Sequence, residues 1–209
     1  MKKIITITGA SGSGKDSLLD AVLYRTGNLS ADKLKGISAM TADEQCESIP
    51  MRELISHTTR EPRKGEVNGV DYYFVNDMEF NKLDKLESIE YAGNKYCLAS
   101  EELEKLNGAI GCVIVDTNGL SQIKNYVAAN PDVQLFKIFI TIDADTSRRR
   151  MTQRGDDEDK IQKRMRQQSY RKEYIVPSDD FELVLDGTAS FTDNIDAACS
   201  ALLDFAHSV

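Results

Sequence analysis

A glycine-rich loop near the N-terminus restricts the possible folds more than any other part of this sequence. Residues 9–15 read G-A-S-G-S-G-K, which is the spacing G-x-x-x-x-G-K. The loop follows a β-branched run at 3–8 and precedes apolar residues at helical spacing, Leu18, Leu19, Val22 and Leu23. In this strand–loop–helix context, main-chain N–H groups surround a phosphate at a helix N-terminus and the lysine adds positive charge. The predicted ATP-binding loop comprises Gly9, Ala10, Ser11, Gly12, Ser13, Gly14, Lys15, Asp16 and Ser17.

The residue after the lysine departs from the usual form of this motif. Such loops normally have Ser or Thr there, and its hydroxyl binds Mg²⁺, whereas this chain has Asp16 followed by Ser17. The Asp16 carboxylate could bind the metal directly or through water, with Ser17 donating to the α-phosphate. Alternatively, its negative charge would weaken phosphate binding. We expect Mg²⁺ with ATP as the cofactor, and Asp16 is a candidate ligand.

The rest of the chain alternates predicted strands and helices. Continuous apolar runs at 111–116 and 135–143 are typical of parallel strands buried on both faces. Further predicted elements are a strand at 72–75, a helical pattern at 77–87, helix formers interrupted by Gly155 at 145–173, a strand at 181–186 and an amphipathic helix at 191–207. Residues 26–50 lose this regularity and are expected to form a surface excursion. The alternation predicts an α/β fold with three αβα layers and a parallel core sheet.

Composition limits the partners of such a domain. The 209 residues fit a single domain, and no apolar run approaches the roughly 20 residues that cross a bilayer. A net charge of −8 argues against nucleic acid as a partner. The N-terminal apolar stretch is too short for a signal peptide. Four scattered cysteines without a CxxC pair favour reduced thiols and a cytoplasmic location.

A second polar motif occupies residues 56–72, which read S-H-T-T-R-E-P-R-K-G-E-V-N-G-V-D-Y. Its two arginines, Arg60 and Arg63, are three residues apart and can hold one phosphate through charge-assisted hydrogen bonds. The hydroxyl groups of Ser56 and Tyr72 can complete the contacts to that phosphate. The pattern S-x-T-T-R-x-x-R-x-G-E-x-x-G-x-D-Y strongly resembles the monophosphate-binding segment of guanylate kinases, and the loop at 9–15 agrees with that resemblance.

This resemblance implies a kinase that moves the γ-phosphoryl group of ATP to a nucleoside monophosphate, with GMP or dGMP as the leading acceptor. It implies a single P-loop NTPase domain with a small monophosphate-binding subdomain and a helical lid. The expected boundaries are about 1–55, 111–147 and 174–209 for the core, 56–105 for the subdomain, 148–173 for the lid and 26–50 for an insertion.

The resemblance also implies roles for individual residues. The acceptor phosphate would be bound by Ser56, Arg60, Arg63, Tyr72 and Tyr96, the last from the segment G-N-K-Y. Glu90, in the segment I-E-Y, would read guanine, because one carboxylate can accept from two parallel N–H donors. Asp116 would lie near the base and the metal, which it would contact through water. The predicted catalytic residues are Lys15, Arg60 and three lid arginines, Arg150, Arg154 and Arg164.

Three features depart from the family pattern. Cys97 and Leu98 replace a glycine and a hydroxyl residue that helps to recognise guanine, and Ile114 replaces an aspartate that is often found there. The interval between the two motifs is longer than usual, which creates the insertion at 26–50. That insertion could be a partner surface, a homodimer contact or a neutral surface loop.

Other functions stay open at this point. The altered guanine pocket leaves room for another nucleoside or deoxynucleoside monophosphate, or for a ribose bisphosphate, as acceptor. A non-catalytic binding module of this family would generally lose the loop lysine and the lid arginines, whereas this chain has both. A regulatory GTPase would need a base-reading motif that is missing here. A panel of acceptors and a test of stabilisation by ATP would separate these alternatives.

Overall fold

Parallel β-strands form the centre of the protein. The computed structural model describes residues 1–30, 34, 46–91, 93–170, 172–175 and 180–208. Within these residues the elements are, in chain order, β1 (Lys2–Thr8), α1 (Lys15–Arg25), β2 (Met51–Glu53), β3 (His57–Thr58), β4 (Tyr73–Phe74), α2 (Asp77–Lys82), β5 (Lys85–Tyr91), β6 (Asn94–Ala99), α3 (Glu101–Glu104), β7 (Ile110–Ile114), α4 (Thr117–Ala129), β8 (Val133–Thr141), α5 (Ala144–Gln153), α6 (Glu158–Tyr170), β9 (Leu183–Asp186) and α7 (Phe191–His207). Five strands pair in the order β2-β7-β1-β8-β9, and every pairing among them is parallel. The predicted α/β fold with a parallel core sheet is confirmed.

Alternating side chains of the central strand contribute to two separate parts of the core. In β1, Ile5 and Ile7 pack with residues of α1 and α7 in one buried cluster. Ile4, which precedes Ile5 and points to the opposite face, packs with Ile123 of α4 in the other cluster. Because successive side chains of a strand point to opposite faces, α1 and α7 cover one face of the sheet and α4 covers the other.

A smaller sheet, with strand order β4-β3-β6-β5, carries the second polar motif. It is attached to α4, because Gln122 and the backbone of Ser88 exchange two hydrogen bonds of 3.0 Å each. The chain that leads into β3 is also held in place. There, the fully buried carboxylate of Glu102 accepts a hydrogen bond of 2.9 Å from the backbone N–H of Ile55. These contacts hold the motif at 56–72 beside the core sheet.

One predicted helix is shorter than the sequence pattern indicates. The helical pattern at 77–87 corresponds to α2 only over Asp77–Lys82, and residues from Lys85 onward form β5. Leu83, which follows the helix, is already extended, with φ −66° and ψ 138°. The prediction was wrong for these last residues because pairing with β6 outweighs local helical spacing.

The arginine-rich region forms two helices, as predicted. Gly155 lies between α5 and α6 with φ 83°, a left-handed conformation that ends helices and favours glycine. The predicted excursion at 26–50 lies mostly outside the described residues. In the part of the chain that is described, none of the helices has both the length and the apolar character needed to span a bilayer.

Candidate active site

The phosphate-binding loop lies where β1 ends and α1 begins. Gly9 follows the strand and Lys15 is the first residue of the helix. A Cβ atom on Gly9 would lie 2.4 Å from the carbonyl oxygen of Ile140 on the neighbouring strand, so only glycine fits this position. The loop N–H groups therefore lie at the N-terminus of α1, where unpaired donors and the helix dipole favour an anion.

Lys15 is folded over this loop. Its ammonium group donates to the carbonyl oxygens of Gly9 and Ala10 at 2.7 Å and 3.0 Å. Burial lowers the pKa of Lys15, and the nearby carboxylates of Asp16 and Glu173 oppose that shift. The loop carbonyls thus hold the ammonium close to the place where phosphoryl oxygens would bind.

Arg150, predicted as a lid arginine, supports the loop from α5. Its guanidinium group donates to the carbonyl oxygen of Gly12 at 2.9 Å and to that of Gly187 at 2.8 Å. Two bonds from one rigid planar group fix the loop relative to the end of β9. Arg150 therefore holds the phosphate loop in position. Its side chain also lines the adjacent cavity.

Two cavities meet at Lys15. The larger, of about 510 Å³, is lined by Gly12, Ser13, Gly14, Lys15, Asp16, Ser17, Leu18, Ile140, Arg150, Arg154, Leu185, Gly187, Ala189, Phe191 and Asn194. The smaller, of about 310 Å³, is lined by Gly9, Ser11, Lys15, Ile114, Val115, Asp116, Arg164, Gln167, Gln168 and Glu173. Sequence reasoning missed Gln167, Gln168 and Glu173, because polar residues near the end of a charged helix follow no motif.

The paired arginines of the second motif have different surroundings. Arg60 makes two hydrogen bonds with the carboxylate of Glu66, at 2.8 Å and 3.0 Å, and its guanidinium lies 5.5 Å from the centre of the Tyr72 ring. Tyr96 approaches the same group, with its ring 6.0 Å from that of Tyr72. Arg63 is exposed, and its backbone N–H donates to Glu66 at 2.6 Å. The side chains of Arg60, Tyr72 and Tyr96 therefore form one cluster, whereas the side chain of Arg63 is exposed to solvent.

Two glutamates of β5 differ sharply in burial. Glu90, predicted to read the base, is exposed, whereas Glu87 is only 7% exposed. Glu87 lies opposite Leu98 in the antiparallel pair and accepts a hydrogen bond of 3.1 Å from its backbone N–H. Burial, and secondarily the charge of Asp116, raise the pKa of Glu87 to about 7. Sequence reasoning missed Glu87, because its place opposite Leu98 depends on the pairing of β5 with β6.

The other two arginines predicted to belong to a lid share one carboxylate. Arg154 makes two hydrogen bonds with Asp156, at 3.0 Å and 2.6 Å, and Arg164 makes one of 3.0 Å with the same side chain. Hydrogen bonding to Arg154 lowers the pKa of Asp156. Arg154 lines the larger cavity and Arg164 the smaller. The structure thus brings two of the predicted lid residues together at the junction of α5 and α6.

Two carboxylates line the cavities that meet at Lys15 and are suitable for a metal. Asp16 lines the larger cavity, and Asp116 lines the smaller while it caps α4 through a hydrogen bond of 2.8 Å from the N–H of Gly119. Within the described ranges, no group of three His, Cys, Asp or Glu side chains could hold a metal ion. Mg²⁺ commonly uses one or two carboxylates together with phosphate oxygens and water. These donors therefore fit a metal that arrives with a nucleotide.

A phosphate loop after the central strand of a parallel sheet, with cavities on both sides of its lysine, defines the class of P-loop nucleotide-binding proteins. A crystal structure of guanylate kinase from Anaplasma phagocytophilum has a similar fold, with a TM-score of 0.63 and 20% identity over all of this chain and 88% of that one. The guanylate kinase family model matches residues 47–208.

Individual relatives match over a larger share of the chain. A guanylate kinase of Lactobacillus johnsonii is 31% identical over 205 residues, which cover 95% of this chain and 88% of the relative. One from Shewanella oneidensis is 34% identical over 87% of this chain and 82% of its own length. The chain belongs to the guanylate kinase family.

Proposed function

We propose that this chain transfers the γ-phosphoryl group of ATP to GMP or dGMP. The supporting observation is that Lys15 lies in the wall of both cavities. A donor in the larger cavity and an acceptor that reaches the smaller one would share its ammonium group. Relatives that are named guanylate kinase and that align with most of this chain support the same acceptor.

The larger cavity suits the donor nucleotide. Its loop residues, Gly12 to Ser17, would hold the phosphates of ATP through main-chain N–H groups. On the far side, Leu185 and Phe191 offer apolar surface for a purine ring. Its volume of about 510 Å³ lies within the usual range of small-molecule sites.

Transfer itself depends on alignment and on charge neutralisation, without a protein nucleophile. Arg60 would hold the acceptor phosphate, assisted by Ser56, Arg63, Tyr72 and Tyr96. Lys15, Arg154 and Arg164 would neutralise the group in transit, and Arg150 would keep the loop in place. Asp16, and Asp116 through water, would hold Mg²⁺, which would supply further positive charge to the phosphates. Closure of the lid over the site would exclude water.

Base recognition has two candidate carboxylates. Glu90 is the residue that the sequence resemblance suggests, and we add Glu87 because it is buried beside Asp116 and opposite Leu98. An ionised carboxylate there would accept from the two parallel N–H groups of guanine. Since adenine has no such pair of donors, the same contact would favour GMP over AMP.

The proposal is tested by measuring ADP release with GMP, dGMP, AMP, CMP and UMP as acceptors in turn. We expect turnover with GMP and dGMP and little with the other three. Comparable rates with all five would refute guanine selectivity. No release with any acceptor, in a sample that is stabilised by ATP, would refute the kinase proposal.

Location and assembly remain proposals. A cytoplasmic setting fits a reaction that consumes ATP, and all four cysteines, Cys46, Cys97, Cys112 and Cys199, are free thiols. A homodimer contact is one of the three alternatives for the insertion at 26–50, which lies mostly outside the described residues. Sedimentation of the full chain at several concentrations would distinguish a monomer from a dimer.

A further inference from the structure

A closed group of polar contacts joins the lid helix α6 to the phosphate loop. Gln168 near the end of α6 donates from Nε2 to the hydroxyl oxygen of Ser11 at 2.8 Å, and its Oε1 accepts from the hydroxyl of Tyr174 at 2.9 Å. Ser147 of α5 donates to the carbonyl oxygen of Ser11 at 2.7 Å and lies 3.3 Å from the Tyr174 hydroxyl. Ser11 is therefore held through both its hydroxyl and its carbonyl.

The hydroxyl hydrogens of this group each have an acceptor. The Tyr174 hydroxyl donates its hydrogen to Gln168, and the Ser147 hydroxyl donates its hydrogen to the carbonyl oxygen of Ser11. Gln168 thus donates through its amide nitrogen and accepts through its amide oxygen. Because Ser11 accepts from Gln168, its own hydroxyl hydrogen can point toward another acceptor in the cavity that both residues line.

Gln168 shares a helix face with a predicted catalytic residue. Arg164 precedes it by four residues, a spacing that places both side chains on one side of α6. Both line the cavity of about 310 Å³ together with Lys15. Gln168 is 9% exposed, so its amide is oriented by the protein and not by solvent. The hydrogen bond between Gln168 and Ser11 therefore also sets the position of Arg164 relative to the phosphate loop.

We propose that Gln168 is a positioning residue that holds α6 on the phosphate loop through Ser11 and so places Arg164 beside the phosphoryl group in transit. The inference rests on the proposed kinase function and adds a residue to it. Gln168 itself transfers no proton or phosphate. Its loss affects the rate of transfer more than the binding of the acceptor.

The test compares Gln168→Leu with Gln162→Leu, the same substitution on the exposed side of α6. For Gln168→Leu we expect kcat to fall by roughly tenfold, as for the loss of a buried hydrogen bond that matters in the transition state, with the KM for GMP changed less than about twofold. Gln162→Leu should match the wild type. A rise in the KM for GMP as large as the fall in kcat would overturn the proposal.

A double-mutant cycle tests whether Gln168 acts through its hydrogen bond to Ser11. If Gln168 acts through Ser11, the loss of kcat in Ser11→Ala combined with Gln168→Leu should be no larger than in Ser11→Ala alone. Fully additive losses would contradict the contact. If Gln168→Leu fails to fold, Tyr174→Phe, which removes only the hydroxyl that orients the Gln168 amide, should lower kcat by a few fold. An unchanged kcat in that variant would count against the proposal.

Amide hydrogen exchange separates this inference from the proposed function. With MgATP bound, residues 161–170 should exchange faster in Gln168→Leu than in Gln162→Leu, whichever acceptor the enzyme uses. A wild type without GMP kinase activity would refute the proposed function, and the exchange comparison would still decide the role of Gln168. Equal exchange in the two variants would overturn that role.

Discussion

Replacing Glu87 by glutamine should make the protein more stable above neutral pH while weakening GMP binding. The buried carboxylate has a pKa of about 7 in place of 4.5, chiefly because of burial and then because of Asp116. The folded state therefore binds more protons than the unfolded state between these two values, and stability falls as the pH rises through that window. The difference between the two pKa values corresponds to a loss of about 3 kcal/mol in the free energy of unfolding at pH 8.

Glutamine removes this penalty and keeps the useful contact. Its Oε1 can still accept from the backbone N–H of Leu98, and its Nε2 can donate toward the carboxylate of Asp116. Urea unfolding should therefore show Glu87→Gln to be more stable than the wild type by about 2–3 kcal/mol at pH 8, with little difference near pH 4.5. The exposed Glu90→Gln should change stability by less than about 0.5 kcal/mol at any pH.

The same variants decide which carboxylate reads the base. If Glu87 accepts from guanine, Glu87→Gln should raise the KM for GMP by about 10- to 100-fold, the usual effect of losing hydrogen bonds to a charged group. In the wild type, the KM for GMP should fall from pH 6 to pH 8 as Glu87 ionises. A variant whose stability gain does not depend on pH would refute the electrostatic reasoning. An unchanged KM in Glu87→Gln, with a raised KM in Glu90→Gln, would assign base recognition to Glu90.

Three further changes test the remaining parts of the site. Arg60→Ala should lower kcat by about 10²–10³-fold with ATP binding nearly unchanged, as measured by steady-state kinetics and calorimetry, and equal loss of both would mean that Arg60 is structural. Arg150→Ala should reduce the free energy of unfolding by about 2 kcal/mol, because the carbonyls of Gly12 and Gly187 lose their donors, and an unchanged urea midpoint would contradict this. Asp156→Asn should lower the KM for ATP a few fold, because the two lid arginines lose a competing anion, and a raised KM would show that Asp156 orients them productively.

Local patterns in the sequence predicted the elements that are determined locally. The strand, loop and helix around Lys15 and the final helix at 191–207 are where the sequence placed them, since glycine spacing and apolar periodicity are visible within about ten residues. The helix predicted at 77–87 is too long because its last residues pair with β6, where Lys85 lies opposite Ala99, fourteen residues further along the chain and outside the local pattern. Burial of Glu87 was missed for the same reason.

The contacts of the lid were the least predictable. Gln168 and Ser11 are far apart in the chain and belong to no shared motif, so only the folded structure places them 2.8 Å apart. Arg150, Arg154 and Arg164 looked equivalent in the sequence. The fold gives the first of them two carbonyl oxygens as partners, and gives the other two a shared carboxylate.

The cations of this site already have acceptors within the protein. Lys15 donates to loop carbonyls, Arg60 donates to Glu66, and Arg154 and Arg164 donate to Asp156. Binding of a phosphate therefore exchanges one set of charge-assisted hydrogen bonds for another, and the net gain depends on how much more charge the ligand carries than the acceptor it replaces. A doubly charged phosphate competes with a carbonyl or a single carboxylate more strongly than a singly charged anion does. In a chain of net charge −8, this arrangement keeps a cationic site ordered without ligand and makes it selective for phosphate groups.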